Sequence, residues 1–417
     1  MELRGAVHSQ DRPVSVICRR LASAPEIFMR LLPILAASCF VSSMSMRIID
    51  PVVPDVARDL AVSPEAVALL ASAFTFPYAL GQPVLGALGD ALGKSKVIKV
   101  TLAVLVVCLA IAAAAPSLDA LFVARIIGGA AGGGIIPLAF AMVGDRFEMA
   151  DRQWALSRVL SAIIAGQLTG ALGSGLIASA FGWRVSMLAG TALSLAALIV
   201  TLWQLHPRQK ADRPPFRMTQ MSDGYVHVFR NPKTVVCFSA VFVEGIVLFG
   251  LFPYIALLLE ARNAGGLREA GFVLAGFAIG GFAYIALVRL MLNRLGIYKL
   301  IWGGAAVAGA GFAALALSLS WPLEMAIMAV IGLGFYMIHN SLQTQATELA
   351  PSNRASAVAA HAFFFFLGQA VGPLVYRLGF DHAGIEATLI GAGVLLALTG
   401  VATAIGLKAR PDPPQFI

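Results

Sequence analysis

Six ionisable residues interrupt otherwise apolar stretches, and their types suit moving a proton or holding a charged solute rather than breaking a bond. Glu244 stands near the middle of the run from Val235 to Leu259. A carboxyl there either binds and releases a proton as a coupling group or stays protonated and hydrogen-bonded to a neighbouring helix. Arg125 sits inside another such run. A central arginine costs at least about 2.5 kcal/mol to insert, so it either faces a polar interior or snorkels towards the nearer surface. Arg47 and Asp50 are three apart on one helix face, which serves either a local ion pair or a joint contact with solute. His339 and His361 add imidazoles that either titrate and donate to cargo or hydrogen-bond within packed helices. Tyr78 and Tyr254, with Phe74, Phe76, Phe252 and Phe363 to Phe366, either line an apolar cavity or face lipid; several pointing inward would imply a lipophilic or amphipathic molecule rather than a sugar.

Other chemistries lack their residues. There is no G-x-x-x-x-G-K-[ST] phosphate loop, no H-E-x-x-H, no G-x-S-x-G and no spaced Cys-His cluster, so neither ATP-driven work nor embedded hydrolysis is expected. The chain is read as no enzyme, with no cofactor and no metal. Cys39, Cys108 and Cys237 fall in apolar runs and Cys18 near the N-terminus, so free thiols are expected rather than disulfides.

The elements that position these side chains follow from composition. Hydrophobic residues make up 59% of 417 and charged residues 12%, with a mean hydropathy of +0.84, more apolar surface than one soluble core can bury. About 20 apolar residues cross the hydrocarbon of a bilayer, and backbone groups in lipid must be satisfied within their own segment, so runs of that length are helices. Twelve are predicted. Six run from Leu31 to Ile49, Ala66 to Leu88, Val97 to Ala115, Leu118 to Val143, Val159 to Phe181 and Val185 to Leu205. Six more run from Val235 to Leu259, Ala270 to Leu290, Leu300 to Ser320, Leu323 to Gln345, Ala355 to Tyr376 and Ala387 to Leu407. The fold class is therefore an all-α membrane protein of twelve transmembrane helices. Its parts are a basic N-terminal segment (1–30), a six-helix half (31–205), a linker (206–234) rich in proline and basic residues, a second six-helix half (235–407) and a tail (408–417).

Lys and Arg set the orientation. With both termini on the cytoplasmic side, 23 of the 30 basic residues fall in or beside inner segments and five, Arg58, Arg184, Arg262, Arg268 and Arg377, on the outer side. Basic loops on an anionic leaflet also account for the net charge of +8 without nucleic acid as a partner. The first thirty residues lack an apolar h-region, so no cleaved leader is expected and the first span serves as the insertion signal. The expected location is a bacterial-type inner membrane.

The halves look duplicated. Arg152, Gly132 and Gly166-Gln167-x-x-Gly170 recur 202 residues on as Arg354, Gly334 and Gly368-Gln369-x-x-Gly372. Asp90-Ala-Leu-Gly93-x-x-Lys96 is echoed 203 residues on by Asn293-Arg-Leu-Gly296-x-x-Lys299. Internal repeats of this kind are common in transporters.

On four motifs the chain resembles the major facilitator superfamily, in the branch of twelve-span drug or metabolite:proton antiporters. Gly86-Ala-Leu88-Gly-Asp90-Ala91-Leu-Gly93-Lys94-Ser-Lys96 is similar to the family's G-x-L-x-D-R-x-G-R-[RK] loop, with Ala91 for the usual Arg. Arg125-Ile-Ile-Gly128-Gly129 is similar to R-x-x-Q-G, with Gly128 for Gln. Asp50-Pro51-Val52-Val-Pro54 is similar to the exporters' P-x-x-P, and Gly368-x-x-x-Gly372-Pro373-Leu374 to their G-x-x-x-G-P-L. Against that branch, Gly170-Ala171-Leu-Gly-Ser174-Gly175 stands where the antiporter pattern has Gly-Pro. The resemblance implies a cytoplasmic latch around Gly86, Asp90, Gly93, Lys94 and Lys96 and an arginine at 125 tied to proton transfer. Pro51, Pro54, Gly166, Gly170, Gly368, Gly372 and Pro373 would shape or pack helices.

The expected function is a secondary active transporter moving a small organic molecule by alternating access, most simply by proton-coupled export. Its partners would be that substrate, protons and the lipid bilayer, and the expected state is a monomer. Proton-coupled uptake, and a non-transporting scaffold or sensor on the same fold, are the alternatives.

Overall fold

The computed structural model describes residues 14–147, 149–205 and 218–410, and every regular element among them is helical. The helices are α1 (Val14–Arg47), α2 (Val53–Leu60), α3 (Pro64–Leu92), α4 (Lys94–Ala113), α5 (Leu118–Gly132), α6 (Ile135–Arg146), α7 (Met149–Leu168), α8 (Ser174–Phe181) and α9 (Trp183–Gln204). After the gap come α10 (Met218–Arg230), α11 (Lys233–Gly250), α12 (Ile255–Ala261), α13 (Leu267–Leu315), α14 (Trp321–Leu349), α15 (Arg354–Ala383) and α16 (Ile385–Ala409).

Eleven helical segments are long and apolar enough to cross a bilayer, and one of them is two spans in one. α13 has 49 residues, roughly 74 Å at the α-helical rise, against about 30 Å of hydrocarbon. Gly296 breaks it with φ 73° and ψ 167°, a backbone region open to glycine. The eighth and ninth spans are thus separated by that break, and the twelve expected crossings stand. Helix also forms outside the expected spans. Backbone helix starts at Val14, inside the segment read as preceding the first span, and α10 forms within the stretch read as linker.

Several spans are broken where proline removes a backbone donor. The first crossing is α1, a 3₁₀ turn at Asp50–Val52, then α2, with Pro51 and Pro54 each at the start of a new segment. The seventh is α11, a 3₁₀ turn at Phe252–Tyr254, then α12, with Pro253 in the matching place. The two breaks lie 202 residues apart.

The duplication extends to contacts. A Cβ at Gly166 would strike the Phe40 carbonyl, and one at Gly368 the Phe242 carbonyl; Gly170 meets the Met44 carbonyl and Gly372 that of Ile246. Each pair repeats at the same offset. Small residues let helix backbones touch where lipid offers no hydrophobic drive for association, so α7 packs closely on α1 and α15 on α11. Gly182 and Gly384 likewise share φ 83°. These contacts make two pseudo-symmetric six-helix halves. They meet at the α2/α12 end, where Arg58 donates to both Glu260 oxygens at 3.2 and 3.1 Å and Gly175 approaches the Leu267 carbonyl. Large apolar residues such as Trp203, Phe181 and Leu398 stay exposed on the outer faces of the bundle, as lipid contact allows.

Candidate functional site

The break after α1 creates the first half of the site. Helix ends leave carbonyls without intrahelical donors, and Arg125 on α5 is placed to satisfy them. Its Nη1 donates to Ser45 O at 2.6 Å, Nη2 to Met46 O at 3.2 Å and Nε to Leu70 O on α3 at 3.3 Å. Its guanidinium lies 4.1 Å above the Phe74 ring. Arg125 is 4% exposed, so it faces the bundle interior and does not snorkel.

Arg47, 3% exposed, closes the helix that Arg125 clamps. Its Nη2 donates to Gln369 Oε1 at 2.5 Å across the seam between the halves, while Nη1 stands 3.6 Å from Asp50 Oδ2. Of the two uses that the spacing allows, an ion pair within the helix is present here, at a length beyond a normal hydrogen bond. Arg47 also lies over Phe249 at 4.3 Å and Phe252 at 5.1 Å. Phe249 and Phe252 are the residues 202 positions beyond Arg47 and Asp50, so the cation of one half stacks on its counterparts in the other. Arg47, Gln167 and Leu168 from the first half face Phe252, Leu274, Phe277 and Tyr336 from the second around a small cleft.

The second cluster belongs to the C-terminal half. Glu244 on α11 is completely buried, with Oε2 3.2 Å from His339 Nδ1 on α14. Its Oε1 has no hydrogen-bond partner among the described residues. The His339 ring packs on Phe335 and Phe365 and stands 5.1 Å from the ring of His361 on α15, whose Nε2 is likewise unpartnered among the described residues. A carboxyl and two imidazoles thus form a chain of proton-binding groups walled by phenylalanines. The tight backbone approach of Gly245 to Phe365 O holds α11 against α15.

The aromatic expectations divide. Tyr78 reaches the seam, its ring 4.6 Å from that of Phe366. Tyr254 is instead a fastener. Its hydroxyl donates to Pro373 O at 2.8 Å, and Tyr376 answers by donating to Val247 O at 2.7 Å, so α11, the following turn and α15 are laced together. Phe76 is 49% exposed and away from the cleft.

In the α3–α4 loop, Gly93 turns the chain with φ 99° and Lys94 pairs with Asp145 at the end of α6 at 2.7 Å. A Cβ at Gly86 would meet open space, and Lys96 is exposed. Asp90 lies in the last turn of α3, with its side chain outside the described residues. Gln167 and Tyr336 line the cleft, and Gln369 and Phe249 contact Arg47 beside it; motif reading singled out none of the four for the site. A signal existed for the glutamines, since both stand in the duplicated Gly-Gln-x-x-Gly. A structural ion pair was also missed, buried Glu324 with Arg262 at 3.1 Å, which ties the start of α14 to the end of α12.

Residues 35–373 match the model of a family described as the Major Facilitator Superfamily. The chain is 24% identical over 345 residues to an uncharacterized MFS-type transporter, YybF, of Bacillus subtilis, covering 81% of this chain and 84% of the relative. It is 24% identical over 374 residues to the multi-drug resistance efflux pump PmrA of Streptococcus pneumoniae, covering 86% and 92%. Among solved structures, the nucleoside transporter NupG superposes with a TM-score of 0.73 at 18% identity, over 91% of this chain and 99% of that one.

Proposed function

We propose a specific mode of action for this protein, which belongs to the Major Facilitator Superfamily and is thus a multi-pass membrane transporter: proton-coupled export of a small organic molecule. The observation that carries the coupling is Glu244, wholly buried in α11, with one oxygen at His339 and the other unpartnered among the described residues. An intramembrane carboxyl without a fixed cationic partner is expected to gain and lose a proton as the bundle opens to one side and then the other. His339 and His361 extend that path along the C-terminal half. Arg125, bonded to carbonyls at the end of α1, serves as the clamp that keeps the first span broken and Arg47 in the seam.

Alternating access then consists of the halves 31–205 and 235–407 rocking about the cleft. The excess of basic residues in these loops supports an orientation with the Gly93 and Gly296 turns, and both termini, on the cytoplasmic side of an inner membrane and the Arg58–Glu260 contact outermost. The Gly93–Lys94 loop acts as the cytoplasmic latch of the N-terminal half. Export is supported by relatives such as the efflux pump PmrA. Uptake is the second reading, favoured by Ala171 in the fifth span where the antiporter pattern has proline; that stretch, Thr169–Gly173, is a π-helical turn here.

The test is proton movement in proteoliposomes under an imposed pH gradient, with parent and Glu244→Gln compared across lipophilic cations, sugars and organic acids. Cargo-stimulated proton flux that disappears in Glu244→Gln is the expected result, and opposite directions for proton and cargo identify export. The same flux in folded Glu244→Gln would remove this residue from coupling. Movement of proton and cargo in one direction would establish uptake.

A further inference from the structure

Charge at the seam is unbalanced. Arg47 and Arg125 are buried guanidiniums, and guanidinium stays charged in proteins, whereas Asp50 is the carboxylate that faces both. Arg125 spends its donors on three backbone carbonyls. Arg47 does not. One nitrogen donates to Gln369, Asp50 stands off at 3.6 Å, and the buried Nε has no partner among the described residues. Neither Asp50 oxygen accepts a hydrogen bond there. A guanidinium has five N–H donors in a planar fork that matches a carboxylate edge to edge. An uncompensated charge in this medium is costly, and an arriving anion offsets it.

The surroundings define the rest of the ligand. The cleft that Arg47 lines is walled by Phe252, Phe277 and Leu274, with Gln167 and the Tyr336 ring beside them, and it spans both halves, where a carrier must grip its cargo. An inorganic ion gains nothing from the phenylalanines, whereas an aryl or alkyl group does. We propose that Arg47 is the anchor of the substrate site and that the cargo is a small organic acid, its carboxylate on the Arg47 guanidinium and its apolar body taken up between Phe252, Leu274 and Phe277 as the halves part and the small cleft widens. The inference rests on the carrier reading above and adds the charge of the cargo. Asp50 then competes with the cargo for Arg47, so removing the Asp50 charge strengthens binding.

Purified full-length protein in detergent, titrated with naphthalene-1-acetate, its amide and naphthalen-1-ylmethylammonium, tests this by the shift in thermal unfolding midpoint. The acetate is expected to raise the Tm of the parent by about 3 °C or more at saturation, and the amide and the ammonium to leave it in place. Arg47→Gln is expected to abolish the shift, Arg47→Lys to weaken binding about tenfold through loss of the fork, and Asp50→Asn to tighten it several-fold. Equal shifts for acetate and amide overturn the proposal, as does unchanged acetate binding in folded Arg47→Gln. If Arg47→Gln does not fold, unchanged affinity in Asp50→Asn overturns it. The proton assay separates the two readings. Acetate binding with no proton flux sinks the coupling and leaves this site standing, whereas proton-coupled export of cations without acetate preference does the reverse.

Discussion

The two halves share a skeleton and differ in chemistry. Their packing contacts repeat almost residue for residue, with Gly166 on Phe40 matched by Gly368 on Phe242 and the Pro51 break matched by Pro253. The ionisable centres do not repeat. Where the N-terminal half carries Arg47 and Asp50, the C-terminal half has Phe249 and Phe252, and the C-terminal cluster of Glu244, His339 and His361 has no ionisable counterpart at 42, 137 or 159. One half therefore holds fixed positive charge and the other holds groups able to exchange protons. Backbone contacts are constrained in both halves because a single Cβ would separate two helices; side chains facing the seam were free to diverge.

Replacing the packing glycines gives the largest expected effect and tests the shared skeleton directly. Gly166→Val and Gly368→Val each force a side chain into a facing carbonyl and should each cost about 3 kcal/mol or more, read as loss of a monodisperse, cooperatively melting protein. A large loss for one and none for the other would break the equivalence of the halves. Next comes Arg125→Gln, which strips donors from three buried carbonyls and should lower stability by about 2–3 kcal/mol. His361→Asn, with its Nε2 unpartnered among the described residues, should cost far less in the same melt, which sharpens the contrast between an anchored and an exchangeable centre.

Smaller effects follow. Tyr254→Phe and Tyr376→Phe each remove one hydroxyl bond, from the turn after α11 to α15 and from α15 to α11, and should cost about 1 kcal/mol apiece, with thermal denaturation as the readout. The N-terminal half has Ser42 to Gly132 O in place of such a lace, so Ser42→Ala should register on α1 against α5 instead. Smallest is Arg58→Ala. Its pair with Glu260 joins the halves at equivalent positions but is exposed, so stability should change by less than about 1 kcal/mol. A much larger change would mean that this contact, rather than helix packing, holds the α2/α12 ends together.

Legibility followed the range of each interaction. The embedded residues Arg47, Asp50, Arg125, Glu244, His339 and His361 stand out in the sequence because charge inside an apolar run is visible locally, and the Arg47–Asp50 pair follows from helical spacing. The pairing of Glu244 with His339 was not legible, since 95 residues and an unknown rotation about each helix axis separate them. Tyr254 illustrates the same limit, being in the expected span but turned towards Pro373 rather than the cleft.

What the sequence by itself determined is the set of twelve crossings, their duplication and the family, because span length, small-residue spacing and motif loops are properties of contiguous residues. Only the tertiary structure decided that Arg125 caps a broken helix, that Arg47 crosses the seam to Gln369 and keeps Nε without a partner among the described residues, and that three proton-binding groups converge in one half. Those outcomes depend on which face each helix turns to its neighbours, and hydropathy is nearly uniform around helices that meet both lipid and protein.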